Sequence, residues 1–455
     1  MYIMTLLIVI INIYQRKNAS AFLNYSTRDV MKKIKTLFRY DSLRTNKSIR
    51  ILFTASFIFL SAFFVGCDSQ EEESPVEITF VSGWGGTFQS HEIMRGIYEE
   101  FDRQNPDIKL NFVLYSDNAI AVEKAIDMLA VGNEPDIVST NGFSTYVEHA
   151  VRCGEAMDLM PYIDADPEWK EQIHPAVFDT WETEAGELYT IPDALEVAGY
   201  WYNEEYLLQA GVTDENGSVA IPETWTEFME MLGKVQTWIV NEQKEIAVLA
   251  LEEDQRKGSF FLARLAGDSE QGLRIATNTE PVMNQEILDT VIADLNKLSQ
   301  YSHDVSNIED ARQKFSDGES VIFLGGVWEA DEFVKSMHKS EIKFAAYPTY
   351  DGRSLSYVSA SSGYVVAEQT DERKADACIR FLKYMLSESV QEQIARMTSQ
   401  APSNMRVEMD KISEVNPLLG QSLAAAYSAD IQIPTIYSVW DESQIEAIEE
   451  IMEDR

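Results

Sequence analysis

"LYTIPDALEVAGYWYNEEYL", Leu188 to Leu207, is the stretch around which the chain is organised. A strand-like run, Leu188 to Ile191, meets Pro192. An acidic and aromatic segment follows, and a helical pattern starts near Asn203. Glu196 sits among apolar neighbours, and Tyr200, Trp201 and Tyr202 stand in a row. Neighbouring side chains of a strand point to opposite faces, so three consecutive aromatics cannot all face one core. At least one of them is expected to line a second surface, such as a cleft. The alternative is a strand buried on both faces.

The flanking sequence alternates strand and helix signals. Val76 to Val81 is rich in β-formers and reads as a strand. Ser82-Gly83-Trp84-Gly85-Gly86 is a loop whose glycines allow close backbone approach, without the third glycine of a dinucleotide fingerprint. Ile93 to Asn105 has helical spacing, with Ile93, Ile97 and Phe101 on one face, and "IKLNFVLY" is the next strand. This β-loop-α-β opening is the signature of a parallel α/β sheet. Ala119 to Leu129 reads as a helix and Asp136-Ile137-Val138 as a short buried strand. Ligands of open α/β sheets bind beyond the carboxyl ends of strands, where Trp84 and Thr140-Asn141-Gly142 stand.

Further along, Thr224 and Glu227 have the spacing of a capping box at the start of a helix. Asp317-Gly318 ends another helix before the strand "SVIFLG", which Gly326-Val327-Trp328 follow. "IKFAAYPTY" reads as a strand and Ala375 to Ala395 as helical. No repeat period is present.

A chain of 455 residues is too long for one ordinary core, so two lobes are expected. Its formal net charge is −38, unevenly placed. Residues 1–66 carry ten Lys/Arg and two Asp/Glu, a net of +8, which leaves −46 for the remainder. A surface so acidic repels nucleic acid and anionic lipid and favours solubility.

Arg44, Lys47 and Arg50 precede an apolar run, Ile51 to Val65, and then Gly66-Cys67. That is the order of a signal peptide: charged region, apolar region, small residue at the cleavage point. "FFVGC" resembles a bacterial lipobox, with Phe64 where an aliphatic residue is usual; the resemblance implies lipidation of Cys67 as the first mature residue. An uncleaved membrane anchor is the alternative, for which the run is short. Met31, before Lys32, Lys33 and Lys35, would make an ordinary signal-peptide start. "DSQEEESP" after Cys67 cannot bury apolar area and reads as a flexible tether, residues 67–75. Cys153 and Cys378 are expected to be unpaired, buried thiols.

Several pieces, in order through nearly the whole mature chain, carry a resemblance. They include "ITFVSGWGG", "AVGNEPDIV", "GELYTIPDALEVAGYWYNEEYLLQAGV", "IPETWTEF", "FSDGESVIFLGGVWEA", "SSGYVVAE" and "IPTIYSVW". The chain resembles extracellular solute-binding proteins of family 1, the sugar-binding components of bacterial ABC importers, which include maltose-binding protein. The resemblance implies a two-lobed α/β fold of the periplasmic-binding-protein type II, with three hinge crossings and a ligand cleft between the lobes. One lobe would comprise residues 76–196 and 362–404, the other 197–361 and 405–455. The chain would cross first around Glu196 to Ala198, return near Tyr357 to Ser361 and cross again near Asn404. Family members usually carry another helix or so after the segment matching "YSVWDESQIEAIEEIM", so the last helix is expected to be short or truncated.

Sugars offer apolar C–H faces and rings of hydroxyls, so their sites need flat aromatic faces with carboxylates or amides nearby. The resemblance points to Trp84, Thr140, Asn141, Glu196, Trp328, Tyr437 and Trp440 as ligand-binding. Tyr202, in the family's "YN" pair, and Asp136 read as structural. The implied partners are a sugar or oligosaccharide, the ABC permease subunits and the membrane, through the lipid on Cys67. The protein would act as a monomer with no cofactor, metal or nucleic acid, outside the cytoplasmic membrane.

Two other classes compete. A glycoside hydrolase needs a carboxylate pair across the scissile bond. With 73 acidic residues after position 66, the presence of some pair discriminates nothing. His91, His149, His174, His303 and His338 show no metal-site spacing, and no GxSxG elbow, P-loop or CxxC occurs. A tethered adhesin or sensor partner could share the fold, since fold does not fix function.

Overall fold

A computed structural model describes residues 74–450, except 253–257, 280–283, 303–304, 437–439, 441–443, 446 and 449. Met31, the lipobox at Cys67 and the candidate Tyr437 lie outside the described residues.

The first sheet has the order β2-β1-β3-β9. β1 (Val76–Ser82) lies parallel to β2 (Ile108–Leu114), in register from Val76 with Ile108 to Ser82 with Leu114. β3 (Ile137–Ser139) is parallel to β1 on its other side. β9 (Tyr364–Val366) closes the sheet antiparallel to β3, so the parallel opening does not extend to its last strand. The crossover from β1 to β2 is the helix Gln89–Gln104. Its buried stripe is Met94, Ile97, Tyr98 and Phe101, beginning one residue after the expected Ile93. The helix Asn118–Ala130 starts where the Asp117 carboxylate accepts the Ile120 N–H at 3.1 Å.

The second sheet is built on β4 (Ala194–Asn203). Its order is β11-β8-β4-β6-β5, with β7 (Ile342–Ala345) and β10 also pairing to β4. β6 (Ser320–Gly326) and β8 (Leu355–Ser359) flank β4 antiparallel, while β5 (Ala247–Ala250) is parallel to β6 and β11 (Ile431–Ile433) to β8. The strand thus lies after Pro192, not at Leu188–Ile191. Leu188 and Ile191 make only isolated bridges, to Glu182 and Tyr364. β4 ends where Asn203 caps the helix Glu204–Gln209, its side-chain oxygen accepting the Tyr206 N–H at 3.0 Å.

The three consecutive aromatics are all core residues, with Tyr200 and Trp201 0% exposed and Tyr202 7%. This overturns the expectation that one of them lines a cleft. Tyr200 and Tyr202 point to one face, where Tyr200 meets Phe228 edge-on at 5.5 Å. Trp201 points to the other, against Phe333 at 5.2 Å and Phe344 at 5.0 Å. The physical reason is that β4 is a central strand covered on both sides, so neither face is left for solvent. The Trp201 indole N–H donates to the Gly326 carbonyl at 2.9 Å, which satisfies its one polar group.

The capping box at Thr224 and Glu227 is formed in both directions. The expected helix Ala375–Ala395 is two, Glu372–Met385 and Glu388–Thr398. Both Cys153 and Cys378 are free, but only Cys378 is buried; Cys153 ends an exposed helix turn, contrary to the expected burial.

Three segments pass between the two sheets side by side. Ile191 bridges Tyr364 antiparallel, and β10 (Ala401–Pro402) pairs with Ala194 and Leu195. The Ser403 hydroxyl donates to the Pro192 carbonyl at 2.8 Å. The Gln391 amide donates to the Asp193 carbonyl at 2.6 Å, and its oxygen accepts the Ser403 N–H at 2.9 Å. A side chain at Gly363 would lie 2.2 Å from Pro192 Cα, so only glycine lets these segments touch. Glu196 pairs with Ser359, and Ala198 with Tyr357, inside the second sheet. The chain therefore passes between the sheets at 191–194, before Glu196, and at 360–363, which overlaps the expected return near Tyr357 to Ser361. Asn404 anchors the third segment, its amide donating to the Leu386 carbonyl at 2.7 Å.

Candidate solute-binding site

The strand directions decide where side chains can converge. β1 and β3 run parallel and end at Ser82 and Ser139. In the second sheet, Glu196 near the start of β4 faces Ser359 at the end of β8, and Gly326 at the end of β6 faces Ala198. β11 runs with β8, so its end lies at the same edge. The carboxyl ends of β3, β6, β8 and β11 therefore gather around the crossing segments and Glu196. That is where open α/β sheets place ligands.

Glu196 is the centre of this group. Its carboxylate accepts hydrogen bonds from the Ser361 and Thr435 side chains. Burial raises its pKa to about 6, and those two bonds act in the opposite direction. Gly142 approaches so closely that an added Cβ would lie 2.9 Å from Glu196 Oε1. Its φ of +98° also excludes other residues without strain. The Gly142 N–H donates to the Ser362 carbonyl at 2.9 Å, tying the loop after β3 to the second crossing segment. A partly desolvated carboxylate at such a junction can accept hydrogen bonds from hydroxyl groups strongly.

The other candidates occupy different settings. Thr140 is fully buried; its hydroxyl donates to the Gly363 carbonyl at 2.8 Å and lies 2.9 Å from the Ser362 hydroxyl. It therefore holds the crossing segment. Asn141 is half-buried with φ +44°, a left-handed conformation that Asn tolerates better than most residues. Trp84 is 8% exposed, with its ring edge-on to His91 at 5.0 Å. Its loop is fixed by the Arg95 guanidinium, which donates to the carbonyls of Trp84 at 3.0 Å and Gly86 at 2.7 Å. Burial, and secondarily Arg95, lower the His91 pKa, and its Nδ1 accepts the Gly86 N–H at 2.9 Å.

The two distal tryptophans separate. Trp328, in the turn Val327–Glu329 just past β6, is 36% exposed. Trp440 is 5% exposed and packs within the core of the second sheet, its ring 6.2 Å from Phe261. The structure thus does not bring Trp440 to an open surface beside Trp328. Asp136 is structural as read, accepting the Thr79 N–H at 2.8 Å and pairing with Lys374 at 2.6 Å.

Sequence reasoning missed several members of the group. Trp181 donates its indole N–H to the carbonyls of Ala360 at 2.8 Å and Ser361 at 3.2 Å. Nothing near it in sequence signals a contact across about 180 residues. Thr435 lies two residues before the candidate Tyr437. Phe143, 43% exposed, and Phe88, 57% exposed, stand in the loops that follow β3 and β1. Their aromatic type at a strand's carboxyl end was a usable signal.

A depression of about 560 Å³ lined by Trp225, Arg264, Asp268, Asp294, Lys297 and Tyr350 includes none of these residues. Arg264 pairs there with Asp294 at 2.7 Å and Asp268 at 3.1 Å and lies over the Trp225 ring at 4.8 Å, while its Nη1 has no hydrogen-bond partner among the described residues. Among the described residues no cluster of His, Cys, Asp and Glu could hold a metal ion, and no helix is long and apolar enough to cross a membrane.

No curated protein sequence matches the chain. Similar solved structures span its folded part. A Streptococcus pneumoniae solute-binding protein in complex with the blood group A trisaccharide is 20% identical with a TM-score of 0.67, covering 83% of this chain and 94% of that one. A Streptomyces glaucescens receptor solved with acarbose is 17% identical with a TM-score of 0.65, covering 84% and 93%. The maltose/maltodextrin-binding domain of Bdellovibrio bacteriovorus bound to maltotriose is 19% identical with a TM-score of 0.62, covering 83% and 94%. They share the two-lobed α/β fold with its cleft between lobes. The sequence profile of the bacterial extracellular solute-binding proteins matches residues 96–420, well over half of the chain. Two sheets joined by three adjoining segments, strand ends converging on a desolvated carboxylate, and this match make the chain a member of the bacterial extracellular solute-binding proteins.

Proposed function

We propose that the solute is a sugar or oligosaccharide, captured where the strand ends meet Glu196 and delivered to the permease of an ABC importer. The observation that carries this reading is the pairing of a desolvated acceptor, Glu196, with an exposed, fixed aromatic face, Trp328, at the same edge of the second sheet. A carboxylate accepts sugar hydroxyls and an indole face covers sugar C–H groups. Asn141 and Phe143 would face the solute from the loop after β3, and Tyr437 from the segment after β11. The sugars bound by the relatives of the same fold support the same class.

The lobes would follow the two sheets, close to residues 76–196 with 362–404 and 197–361 with 405–455, with 191–194 and 360–363 as hinges. Solute touching both shifts the population toward a closed form through its higher affinity for that form. Lipid on Cys67 would hold the protein at the outer face of the membrane, where the closed form meets the permease. Trp84 and Trp440 act in this scheme from within the cores, by fixing loops. The chain would bind without turnover, a reading supported by the family, whose members bind solutes.

A thermal-shift screen of the purified chain against maltotriose, raffinose, acarbose, chitin oligosaccharides and free amino acids tests the reading, because a ligand of the folded state raises its apparent stability. At least one oligosaccharide is expected to raise the melting temperature and to be recovered intact. A response to none of the sugars would refute the substrate class, and hydrolysed sugar would refute capture without catalysis.

A further inference from the structure

We infer that Glu329 and Arg312 are positioning residues that hold the Trp328 indole in one orientation, presenting it as a rigid, electron-rich face. The inference rests on the reading above that Trp328 stacks on a sugar.

Two contacts fix this exposed ring, and a third residue holds one of them. One face of its six-membered ring lies against Gly326, where an added Cβ would come within 2.2 Å of Trp328 Cζ3, 2.3 Å of Cη2 and 2.4 Å of Cε3. Its Nε1–H donates to Glu329 Oε1 at 3.1 Å. Glu329 itself is 3% exposed and cannot stand alone, since a buried carboxylate needs a partner. Arg312, from the helix Ile308–Ser316, supplies it: Nη2 donates to Oε1 at 3.2 Å and Nε donates to Oε2. Burial pushes the Glu329 carboxyl up, and the Arg312 charge opposes that rise.

The arrangement does two things that an unrestrained surface tryptophan could not. It removes rotamer freedom before the solute arrives, so less is lost on binding. It also puts a carboxylate acceptor, itself held by Arg312, on the N–H edge. A hydrogen bond to a carboxylate shifts electron density into the indole, which makes the ring face more negative toward the slightly positive C–H groups of a sugar. Arg312 directs its hydrogen bonds to Glu329 and not to the ring; it opposes the rise in the Glu329 pKa and holds the carboxyl in place.

The test compares Glu329→Gln, Arg312→Lys, Trp328→Phe and the double variant Trp328→Phe/Glu329→Gln. The first readout is the indole N–H resonance of Trp328, assigned by its loss in Trp328→Phe. Glu329→Gln is expected to move it upfield and to speed its exchange with water, with Arg312→Lys intermediate. The second is calorimetric titration with maltotriose and raffinose. Glu329→Gln should weaken binding about 3- to 10-fold, as for loss of a charged hydrogen-bond partner. In the Trp328→Phe background, which has no N–H, it should change binding less than about twofold, because the two effects are coupled. Equal losses in both backgrounds, or an unmoved indole resonance, would overturn the inference. Arg312→Lys keeps the charge and covers the case in which Glu329→Gln fails to fold. If neither sugar binds the unaltered chain, the substrate reading is what fails, and the resonance still decides whether Glu329 orients the ring.

Discussion

Replacing Trp328 and Trp440 separately with alanine should give opposite results, although both follow strand ends at the same edge. Trp328 is 36% exposed and rests on a glycine, so its removal opens no enclosed cavity. Folding stability should change by less than about 1 kcal/mol, as at other surface positions. Binding should lose roughly 2–4 kcal/mol, as for a buried aromatic anchor, which is about thirty- to a thousand-fold in affinity. Trp440 is 5% exposed among Phe261, Ile433 and Ile436. Its removal leaves a cavity in a packed core and should cost roughly 3–5 kcal/mol of stability, with affinity of the folded fraction little changed. Denaturant melts give the first quantity and calorimetric titration with an oligosaccharide gives the second. The reasoning is refuted if Trp328→Ala unfolds the protein while leaving binding intact, or if Trp440→Ala abolishes binding without loss of stability.

Four further outcomes are expected. Glu196 has a folded pKa of about 6 against an ordinary 4.5, so its contribution to stability is present below about pH 4.5 and lost as pH rises through 6, a change of about 2 kcal/mol; Glu196→Gln should remove that step from the pH dependence of the melting curve. If sugar hydroxyls bind the ionised form, affinity should rise between pH 5 and 7 in the unaltered chain and stay flat in Glu196→Gln. Gly142→Ala combines a left-handed backbone with a 2.9 Å approach to Glu196 and should cost roughly 1–3 kcal/mol, read as lower stability and weaker binding; an unchanged protein would contradict the close packing there. Cys67→Ala should leave the precursor unprocessed or release the protein from membranes, and a membrane-bound variant of mature size would contradict the lipobox.

The sequence made local order legible where one short window contains its own cause. The β-loop-α-β opening, the Thr224–Glu227 capping box and the position of Thr140 to Gly142 beyond a strand are of this kind. It was less informative wherever a residue's setting depends on distant layers. Alternation alone places Tyr200 and Trp201 on opposite faces, but which face is solvent depends on the helices packed against β4. The crossings lie at 191–194 and 360–363 because β4 and β8 pair as far as Glu196 and Ser359, a register fixed by partners about 160 residues apart. Trp328 and Trp440 have similar local sequence, glycine or proline before and an acidic residue after, yet one is open and the other enclosed. Trp181 reaches the carbonyls of Ala360 and Ser361 with no nearby sign, since a single long-range hydrogen bond leaves no periodicity behind.

The central claim is that solute binds where the strand ends meet Glu196 and Trp328. A crystal structure of the chain with the tightest-binding oligosaccharide of the panel tests it most directly. The expected density lies within hydrogen-bond distance of Glu196, with a sugar ring against Trp328 and contacts from both lobes. Sugar density elsewhere, such as in the depression at Trp225 and Tyr350, with the Glu196 region unoccupied, would contradict it.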